Sequence, residues 1–491
     1  MIALLVLAAV FTRAMERVST MDGAMARSIY DARAIQLVYE SPLAVDYEKR
    51  PYALTSGYCA LPQVSADSLV YTFDTLHGPA SAMVDSLKRL GDGSLVSPNS
   101  WIMKDVADIR AVNPRRVEIR LSRPVHYFPW LMAMSPAAVR LADGSGTGPY
   151  WLAEWRRNHA MRFVKRPGAV FAPGQFDEIR YLVVDDMSTQ WLMFLKGELD
   201  FLGEVSRDNW DAVVAGDGRL DPKLEAEGVR LHSMPTLEVL YIGVNMLDPV
   251  LGKNRALRQA LNAAFDYPEW EKFYAGRIMR CDTPVPHGVD GRIETPFPYA
   301  FDLAKARELL AEAGYPGGID PGTGRRLTLT LSIGRASQES REAGELLASF
   351  YDRLGIRLEL SFFTWDAFLK AVNEGRVQLY RMGWVGDYPD AQNFLQLFHS
   401  ANVSPGPNHS GYASAEFDRE YDAAMAATSA EVRNRHWRRC QEIVREDCPW
   451  VFTHCNRAYS LVRPRVQNYR PSDFPYGQER FYREGKCKEG Q

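Results

Sequence analysis

The sequence predicts an α/β protein that is divided into two or three domains. Its 491 residues are too many for one ordinary hydrophobic core. Segments with the apolar alternation of strands take turns with segments of helical spacing, and this order is typical of α/β architecture. One strand, loop and helix, residues 377–398, also has the form that presents a ligand-binding loop at the carboxyl end of a strand.

The individual elements follow from apolar periodicity and from helix-capping residues. Strands are predicted at 68–73, 116–121, 177–184, 240–245, 326–332, 358–362 and 449–452. Helices are predicted at 28–39, 80–90, 255–265, 303–313, 339–354 and 431–446, and others begin near Ser188 and Trp365. Asp302 is suited to cap the helix that begins at 303, and Gly314 is suited to end it.

The loop at 144–150 contains three glycines followed by proline and tyrosine. It lacks the preceding strand and following helix of a phosphate-binding loop. We therefore predict a tight turn in which two stretches of backbone approach closely.

The segment 377–398 contains the candidate binding loop. Residues 377–382 alternate as a strand does, and after Asp390, a good helix N-cap, the apolar spacing becomes helical. The loop between them places Asp387 beside Trp384 and Tyr388. A carboxylate with aromatic walls suits a small cationic group such as a primary ammonium. The alternative is a surface turn whose aspartate caps backbone amides.

Composition and motifs favour binding over catalysis. The formal net charge is -3 and no basic tract is present, so we expect no nucleic-acid partner. The chain contains neither H-E-x-x-H nor G-x-S-x-G, and adjacent residues such as His454 and Cys455 point to opposite faces of a strand. We predict no catalytic residue, no metal site and no cofactor.

Six cysteines are present, and none belongs to a C-x-x-C pair. A metal site would require tighter, paired spacing. The cysteines are Cys59, Cys281, Cys440, Cys448, Cys455 and Cys487. One or two disulfides and partly buried free thiols both remain open.

Residues 1–11 form an apolar run of about signal-peptide length. The run is too short to span a bilayer as a helix, and no cysteine follows it that would anchor a lipoprotein. We interpret it as an export signal truncated at its front, so we expect a periplasmic or other extracytoplasmic location. The alternative is a buried first strand or helix.

Six segments in the same order resemble those of the family 5 extracellular solute-binding proteins, the dipeptide- and oligopeptide-binding components of ABC importers. They are ESPL at 40–43, GTGPY at 146–150, GELD at 197–200, RALRQAL at 255–261, DLAKARELLAEAGY at 302–315 and GWVGDYPD at 383–390. The resemblance extends from about residue 28 to about residue 480.

The resemblance implies a two-lobed periplasmic-binding-protein-like fold of type II, cluster C, with an extra small domain in the first lobe. The implied first-lobe core is 1–42 with 177–245 and 456–491, the small domain is 43–176, and the second lobe is 246–455. The chain would cross the hinge near Asn245 and Cys455, and the ligand would be enclosed as the lobes close.

The resemblance also implies the ligand-binding residues. Asp387 matches the aspartate that binds a peptide's α-ammonium, and Arg381 matches an arginine that faces the peptide's carboxylate. Trp365 would shape a side-chain pocket, while Glu40, with Ser41 beside it, would lie at the edge of the cleft. Trp384 and Tyr388 complete the predicted set. Side chains of the ligand would occupy roomy pockets in which water bridges variable groups.

The expected function is that of a monomeric receptor that delivers a peptide to the permease subunits of an ABC transporter. The same fold with another solute is the alternative, because the family also includes binders of oligosaccharides, nickel chelates, opines and haem. A hydrolase is the competing class, and the missing motifs argue against it.

Overall fold

The computed structural model describes residues 8–91, 93, 95–168, 176–205, 207–214, 219–404, 406–474 and 477–485. The chain forms two compact units. Unit 1 combines the residues up to Met234 with those from Ala458 onward, and unit 2 extends from Pro235 to Arg457. The predicted hinge crossings and the predicted division of the first lobe into a core and a small domain stay predictions.

Unit 1 is a mixed α/β unit. Its strands before the boundary are β1 (Val10–Met15), β2 (Leu43–Asp46), β3 (Ala53–Ser56), β4 (Gln63–Val64), β5 (Val70–Asp74), β6 (Val106–Asn113), β7 (Arg116–Leu121), β8 (Tyr150–Arg156), β9 (Ala160–Lys165), β10 (Glu178–Val183), β11 (Phe201–Leu202) and β12 (Arg230–Pro235). Its helices are α1 (Ile29–Val38), α2 (Ala80–Gly91), α3 (Phe128–Leu131), α4 (Met187–Leu195) and α5 (Pro222–Ala226).

Strand β1 lies in the middle of the larger unit 1 sheet. It pairs in parallel with β10 on one side and with β11 on the other. Beyond β10, strand β9 is antiparallel to β10, and β8 is antiparallel to β9. Phe11 is fully buried between the sheet and its covering elements. Val10 and Phe11 therefore belong to the fold, and the predicted export signal does not include them. Residues 1–7 of that signal lie outside the described residues.

Unit 2 contains the parallel strands that position the candidate loop. Its strands are β13 (Glu238–Val244), β14 (Ile278–Arg280), β15 (Ile319–Asp320), β16 (Arg325–Arg326), β17 (Thr328–Ile333), β18 (Arg357–Phe362), β19 (Leu379–Val385) and the first part of β20 (Trp450–Val462). Its helices are α6 (Arg255–Ala263), α7 (Tyr267–Phe273), α8 (Leu303–Glu312), α9 (Gln338–Asp352), α10 (Trp365–Asn373), α11 (Ala391–Leu395), α12 (Ala415–Ala426) and α13 (Ala430–Asp447). Strand β20 continues into unit 1, where β21 (Val466–Gln467) and β22 (Arg483–Glu484) follow.

The unit 2 sheet has the strand order β18-β17-β19-β13-β20. Strand β17 is parallel to both β18 and β19, whereas β13 is antiparallel to β19 and β20. Because parallel strands end at the same edge of a sheet, the carboxyl ends of β17, β18 and β19 lie together. The predicted α/β class is confirmed, with mixed rather than purely parallel sheets.

Local sequence signals are confirmed at several turns and helix ends. The Asp302 carboxylate accepts hydrogen bonds from the first backbone amides of α8, and Gly314, with φ +90, follows the helix. A Cβ atom at Gly146 or Gly148 would clash with backbone atoms at the end of α1, so this loop is the predicted close approach.

The five cysteines within the described residues are buried and free. The free-thiol alternative is thus confirmed for these five. Cys487 lies outside the described residues.

Candidate functional site

The predicted strand, loop and helix at 377–398 is confirmed. Strand β19 leaves the unit 2 sheet at Val385, a short loop follows, and Asp390 caps α11 by accepting a hydrogen bond from the Gln392 amide at 2.9 Å. The Gly386 amide donates to the Leu237 carbonyl at 2.7 Å, which ties the loop to the start of β13. The loop therefore has a defined position beyond the carboxyl end of β19.

Asn393 on α11 fixes the loop from the inside. It is 1% exposed, and its Oδ1 atom accepts hydrogen bonds from the indole of Trp384 at 3.0 Å and from the Asp387 amide at 3.2 Å. Its Nδ2 atom lies 3.4 Å from Asp387 Oδ2 and donates to it. Sequence reasoning missed Asn393. An amide in the middle of an otherwise apolar helix face was the available signal.

Asp387 is accessible to solvent but is surrounded by enough protein to lose part of its hydration. This desolvation raises the pKa of its carboxyl, and the hydrogen bond from Asn393 opposes the rise. Among the described residues no cation lies within 4 Å of it, and its side chain accepts from no backbone amide. The carboxylate therefore carries a negative charge that the unit itself does not neutralise.

Arg381 lies on β19 between Ile242 and Ile333 of the neighbouring strands. Its Nη2 atom donates to the Tyr274 hydroxyl at 2.6 Å, and the guanidinium lies 5.5 Å from the centre of the Trp270 ring. Within the described residues no carboxylate lies within 4 Å of Arg381, so no internal salt bridge is observed there. Neutral groups orient this cation and leave its charge uncompensated.

The remaining unit 2 residues of the predicted set differ in accessibility. Trp365 is 54% exposed, contacts Phe368 at a ring distance of 5.6 Å and follows β18 at the edge where the parallel strands end. Trp384 is half-buried, and its indole donates a hydrogen bond to Asn393. Tyr388 is 4% exposed, so it supports the loop from the interior. Asn393 thus joins Trp384 and Asp387. Arg381 lies three residues before Trp384 on the same strand and therefore points to the opposite face of the sheet, toward Tyr274 and Trp270.

A second carboxylate, which sequence reasoning missed, lies on the same part of unit 2. Glu238 opposes Val385 in the β13–β19 register, two residues before Asp387. It accepts a hydrogen bond from Asn456 Nδ2 at 2.7 Å, and burial raises the pKa of its carboxyl. Its position at the start of an apolar strand concealed it, because only the strand register places it beside the loop.

Glu40 and Ser41 belong to unit 1 and are each 2% exposed. The Ser41 hydroxyl accepts from Gln36 at 2.7 Å and donates to the Met134 carbonyl at 2.8 Å. Burial raises the pKa of Glu40 to about 8, against the opposing charges of Arg480 and Arg166. Both residues lie in the interior, and their predicted contact with a solute stays a prediction.

A cavity of about 230 Å³ in unit 1 was not predicted. It lies beyond the carboxyl ends of β1, β10 and β11, beside the first turns of α1. Its charged lining residues are Arg13, Glu16, Arg33, Asp185, Glu204, Asp473 and Glu479. Sequence reasoning missed it because its walls come from segments that are far apart in the chain.

The described residues contain no cluster of three or more metal-ligating side chains. Across the same residues, no helix combines the length and the apolar character needed to span a bilayer.

Comparison with known proteins identifies the family. A model of "bacterial extracellular solute-binding proteins, family 5 middle" matches residues 62–405. The sequence is 26% identical over 339 residues to heme-binding protein A of Haemophilus influenzae, a match that covers 69% of this chain and 59% of that relative. It is 22% identical over 440 residues to the dipeptide-binding protein of Escherichia coli, covering 83% of this chain and 76% of that protein.

Solved structures agree on the fold. The ABC transporter-associated periplasmic binding protein of Helicobacter pylori, in complex with the peptide STSA, matches with a TM-score of 0.74 at 20% identity. The match covers 97% of this chain and 98% of that chain, so the two-lobed periplasmic-binding-protein fold is confirmed. Because the family model spans well over half of its residues, this chain belongs to family 5 of the bacterial extracellular solute-binding proteins, the solute-capturing components of ABC importers.

Proposed function

We propose that this protein captures a peptide outside the cytoplasm, in the periplasm, and delivers it to the permease of an ABC importer. No bond of the peptide is broken. One observation carries the proposal: Asp387 is a solvent-accessible, partly desolvated carboxylate, held by the buried Asn393, with no cation of the described residues in contact with it.

A primary ammonium is the ligand group that this arrangement fits best. The pKa of Asp387 is raised because the carboxylate has lost hydration without gaining a positive partner. An ammonium supplies that partner, and Glu238 adds negative charge two residues away in register. Asp387 itself is exposed, so the pair becomes buried only when the solute covers it. Truncating one member of such a covered pair typically costs about 2–5 kcal/mol, or about 30- to 4,000-fold in Kd.

Arg381 is proposed to bind a carboxylate of the same solute. One of its five N–H donors is used by Tyr274, and the others have no partner among the described residues. The Trp270 ring and the Tyr274 hydroxyl fix the guanidinium plane, which suits two-point recognition of a carboxylate. Trp365 and Trp384 are proposed to border the solute, and enclosure between the two lobes stays a prediction.

The names of the relatives support a peptide as the solute and leave haem as the alternative. One relative is named a dipeptide-binding protein and a structural neighbour holds a peptide, whereas another relative is named a haem-binding protein. Haem offers no ammonium, so it would not use Asp387 in the proposed way. Measuring whether the protein binds a peptide or haem therefore decides between these two solutes.

Titration calorimetry with di- and tripeptides tests the proposal. Asp387→Asn should weaken binding by about 30-fold or more, and N-acetylation of the peptide should weaken wild-type binding to a similar extent. Glu345→Gln is the matched control, because Glu345 is exposed on α9 and forms no ion pair with any described residue. Recovery of intact peptides after incubation is expected. Equal affinity of wild type and Asp387→Asn, or binding of haem together with no binding of any peptide, would refute the assignment.

A further inference from the structure

We propose that the unit 1 cavity binds a carboxylate group of the solute, with Arg33 as the main donor. This inference rests on the proposed function and adds a third anchoring residue, in unit 1, to Asp387 and Arg381 of unit 2. The supporting observations are unused donors on Arg33 and the net positive charge of the buried group Arg13, Arg33 and Glu479, which lies within a lining that holds four further carboxylates.

Three charged side chains form the floor of the cavity. Arg13 Nη1 donates to Glu479 Oε1 at 2.6 Å, and Arg33 Nε lies 3.6 Å from the same oxygen. Arg13 is 6% exposed, Glu479 is 1% exposed, and the Arg33 side chain is 14% exposed. Two guanidinium groups thus share one carboxylate, which leaves one positive charge in excess where little water reaches it. A buried charge of this kind is costly unless an anion compensates it.

The two arginines differ in how fully they are used. Arg13 is committed to Glu479 and also packs over the Phe201 ring, 4.5 Å from its centre. Arg33 has only the long contact with Glu479, and its two terminal nitrogens donate to no described residue. Burial and the neighbouring Arg13 both lower the pKa of Arg33 and outweigh the opposing effect of Glu479, as expected for a cation that shares its counter-ion. The guanidinium fork matches the two oxygens of a carboxylate.

A neutral hydroxyl pair completes the donor set. Ser460 and Tyr469 line the cavity, and their hydroxyl oxygens are 2.8 Å apart. One hydroxyl donates to the other, so one O–H of the pair remains free to donate to a ligand oxygen.

Four carboxylates around the floor restrict the class of anion. Glu16, Asp185 and Glu204 are exposed, whereas Asp473 is half-buried and accepts a hydrogen bond from Tyr52 at 2.9 Å. Glu16 is a hydrogen-bond partner of Tyr30. Solvent screens the exposed carboxylates, but together they disfavour a polyanion such as phosphate. The ligand group is therefore a singly charged carboxylate on an otherwise neutral or cationic molecule.

Thermal unfolding with a small probe tests the site without any peptide. At constant ionic strength, 100 mM propionate should raise the Tm of the wild type by about 2 °C, and propionamide should not. Arg33→Gln should abolish the difference and Arg33→Lys should reduce it, which keeps the test valid if Arg33→Gln folds poorly. Arg17→Gln, which removes an exposed arginine near the same strand end, is the matched control. Equal responses to propionate and propionamide in the wild type would overturn the proposal.

Three peptides then identify the source of the carboxylate. Ala-Glu-Ala against Ala-Gln-Ala reports a side-chain carboxylate, and Ala-Gln-Ala against its C-terminal amide reports the terminal one. In one of these pairs the acid should bind the wild type at least 10-fold more tightly, and Arg33→Gln should remove that preference whereas Arg381→Gln should leave it unchanged. Peptide binding with the preference intact in Arg33→Gln would overturn the Arg33 site alone. A propionate effect that depends on Arg33, without peptide binding, would instead reject the peptide assignment.

Discussion

Replacing Glu40 with glutamine is predicted to stabilise unit 1 in a pH-dependent way. Glu40 is 2% exposed, and its Oε2 atom has no hydrogen-bond partner among the described residues. Burial raises the pKa of its carboxyl from an ordinary value of 4.5 to about 8. The folded protein therefore favours the neutral form of Glu40, and glutamine has nearly the same shape as that form.

The magnitude follows from the linkage between protonation and folding. A carboxyl whose pKa is raised on folding gives its full stabilisation below about pH 4.5, and this is lost as the pH rises to about 8. At about 1.4 kcal/mol per pH unit, the loss amounts to about 5 kcal/mol. Glu40→Gln should thus match the wild type within about 1 kcal/mol at pH 5. It should exceed the wild type by about 3 kcal/mol at pH 7 and by about 5 kcal/mol at pH 9.

Urea denaturation followed by circular dichroism at pH 5, 7 and 9 measures these differences. Glu198→Gln is the control, since Glu198 is exposed in unit 1 and loses the same charge. Its free energy of unfolding should follow the wild type at every pH. If the gain from Glu40→Gln is the same at pH 5 and pH 9, Glu40 is already ionised in the folded protein and the reasoning from burial is wrong.

The other predictions concern the loop, a close contact, the thiols and the pH dependence of binding. Asn393→Ala should destabilise unit 2 by about 1–3 kcal/mol in urea denaturation, because the donors of Trp384 and Asp387, both part-buried, lose their acceptor, while exposed Asn373→Ala should change it by less than about 0.5 kcal/mol. Gly148→Ala should lower the Tm by several degrees, since its Cβ would clash with backbone at the end of α1, and an unchanged Tm would contradict the close approach. The five buried thiols should resist Ellman's reagent until urea is added, as mass mapping of the labelled cysteines can check. Peptide affinity in calorimetry should fall as the pH drops through the raised pKa of Asp387, and an N-acetylated peptide should not show this fall.

Local signals in the sequence predicted the fold well. Capping residues such as Asp302 and Asp390 act through backbone amides two or three residues away, so a short window of sequence contains the whole interaction. The same is true of the glycines at 146 and 148, whose spacing indicated a close backbone contact before its partner was known. Periodicity likewise placed β19 and the loop that follows it.

The candidate site was less predictable because its contacts depend on packing. Tyr388 beside Asp387 has the composition of a ligand wall, but its ring packs inward and its hydroxyl donates to Gln392 at 2.6 Å. Glu238 reaches the loop through the β13–β19 register, and its hydrogen-bond partner Asn456 is more than two hundred residues away in the chain. Periodicity marks which face of a strand is apolar, but it does not reveal which distant polar group opposes it.

The first strand, β1, also could not be predicted from composition alone. An apolar run of eleven residues at the start of a chain fits an export signal and a buried strand equally well in composition. Pairing with β10 decides the matter for Val10 and Phe11, because both take part in a parallel ladder that extends to Met15. Such a ladder joins segments far apart in sequence, and composition has no information about it.

Uncompensated charge distinguishes the proposed anchoring arginines, Arg381 and Arg33, from the ordinary ion pairs of this protein. Arg116 pairs with Asp74 through two hydrogen bonds, as surface arginines commonly do, and the two charges neutralise each other. Arg381 is oriented by a phenol and an indole instead, and Arg33 shares a carboxylate that Arg13 already holds. Neutral or shared partners fix the direction of a charge without cancelling it. A receptor requires this property, because a charge that is neutralised within the fold has little free energy left to give to a solute.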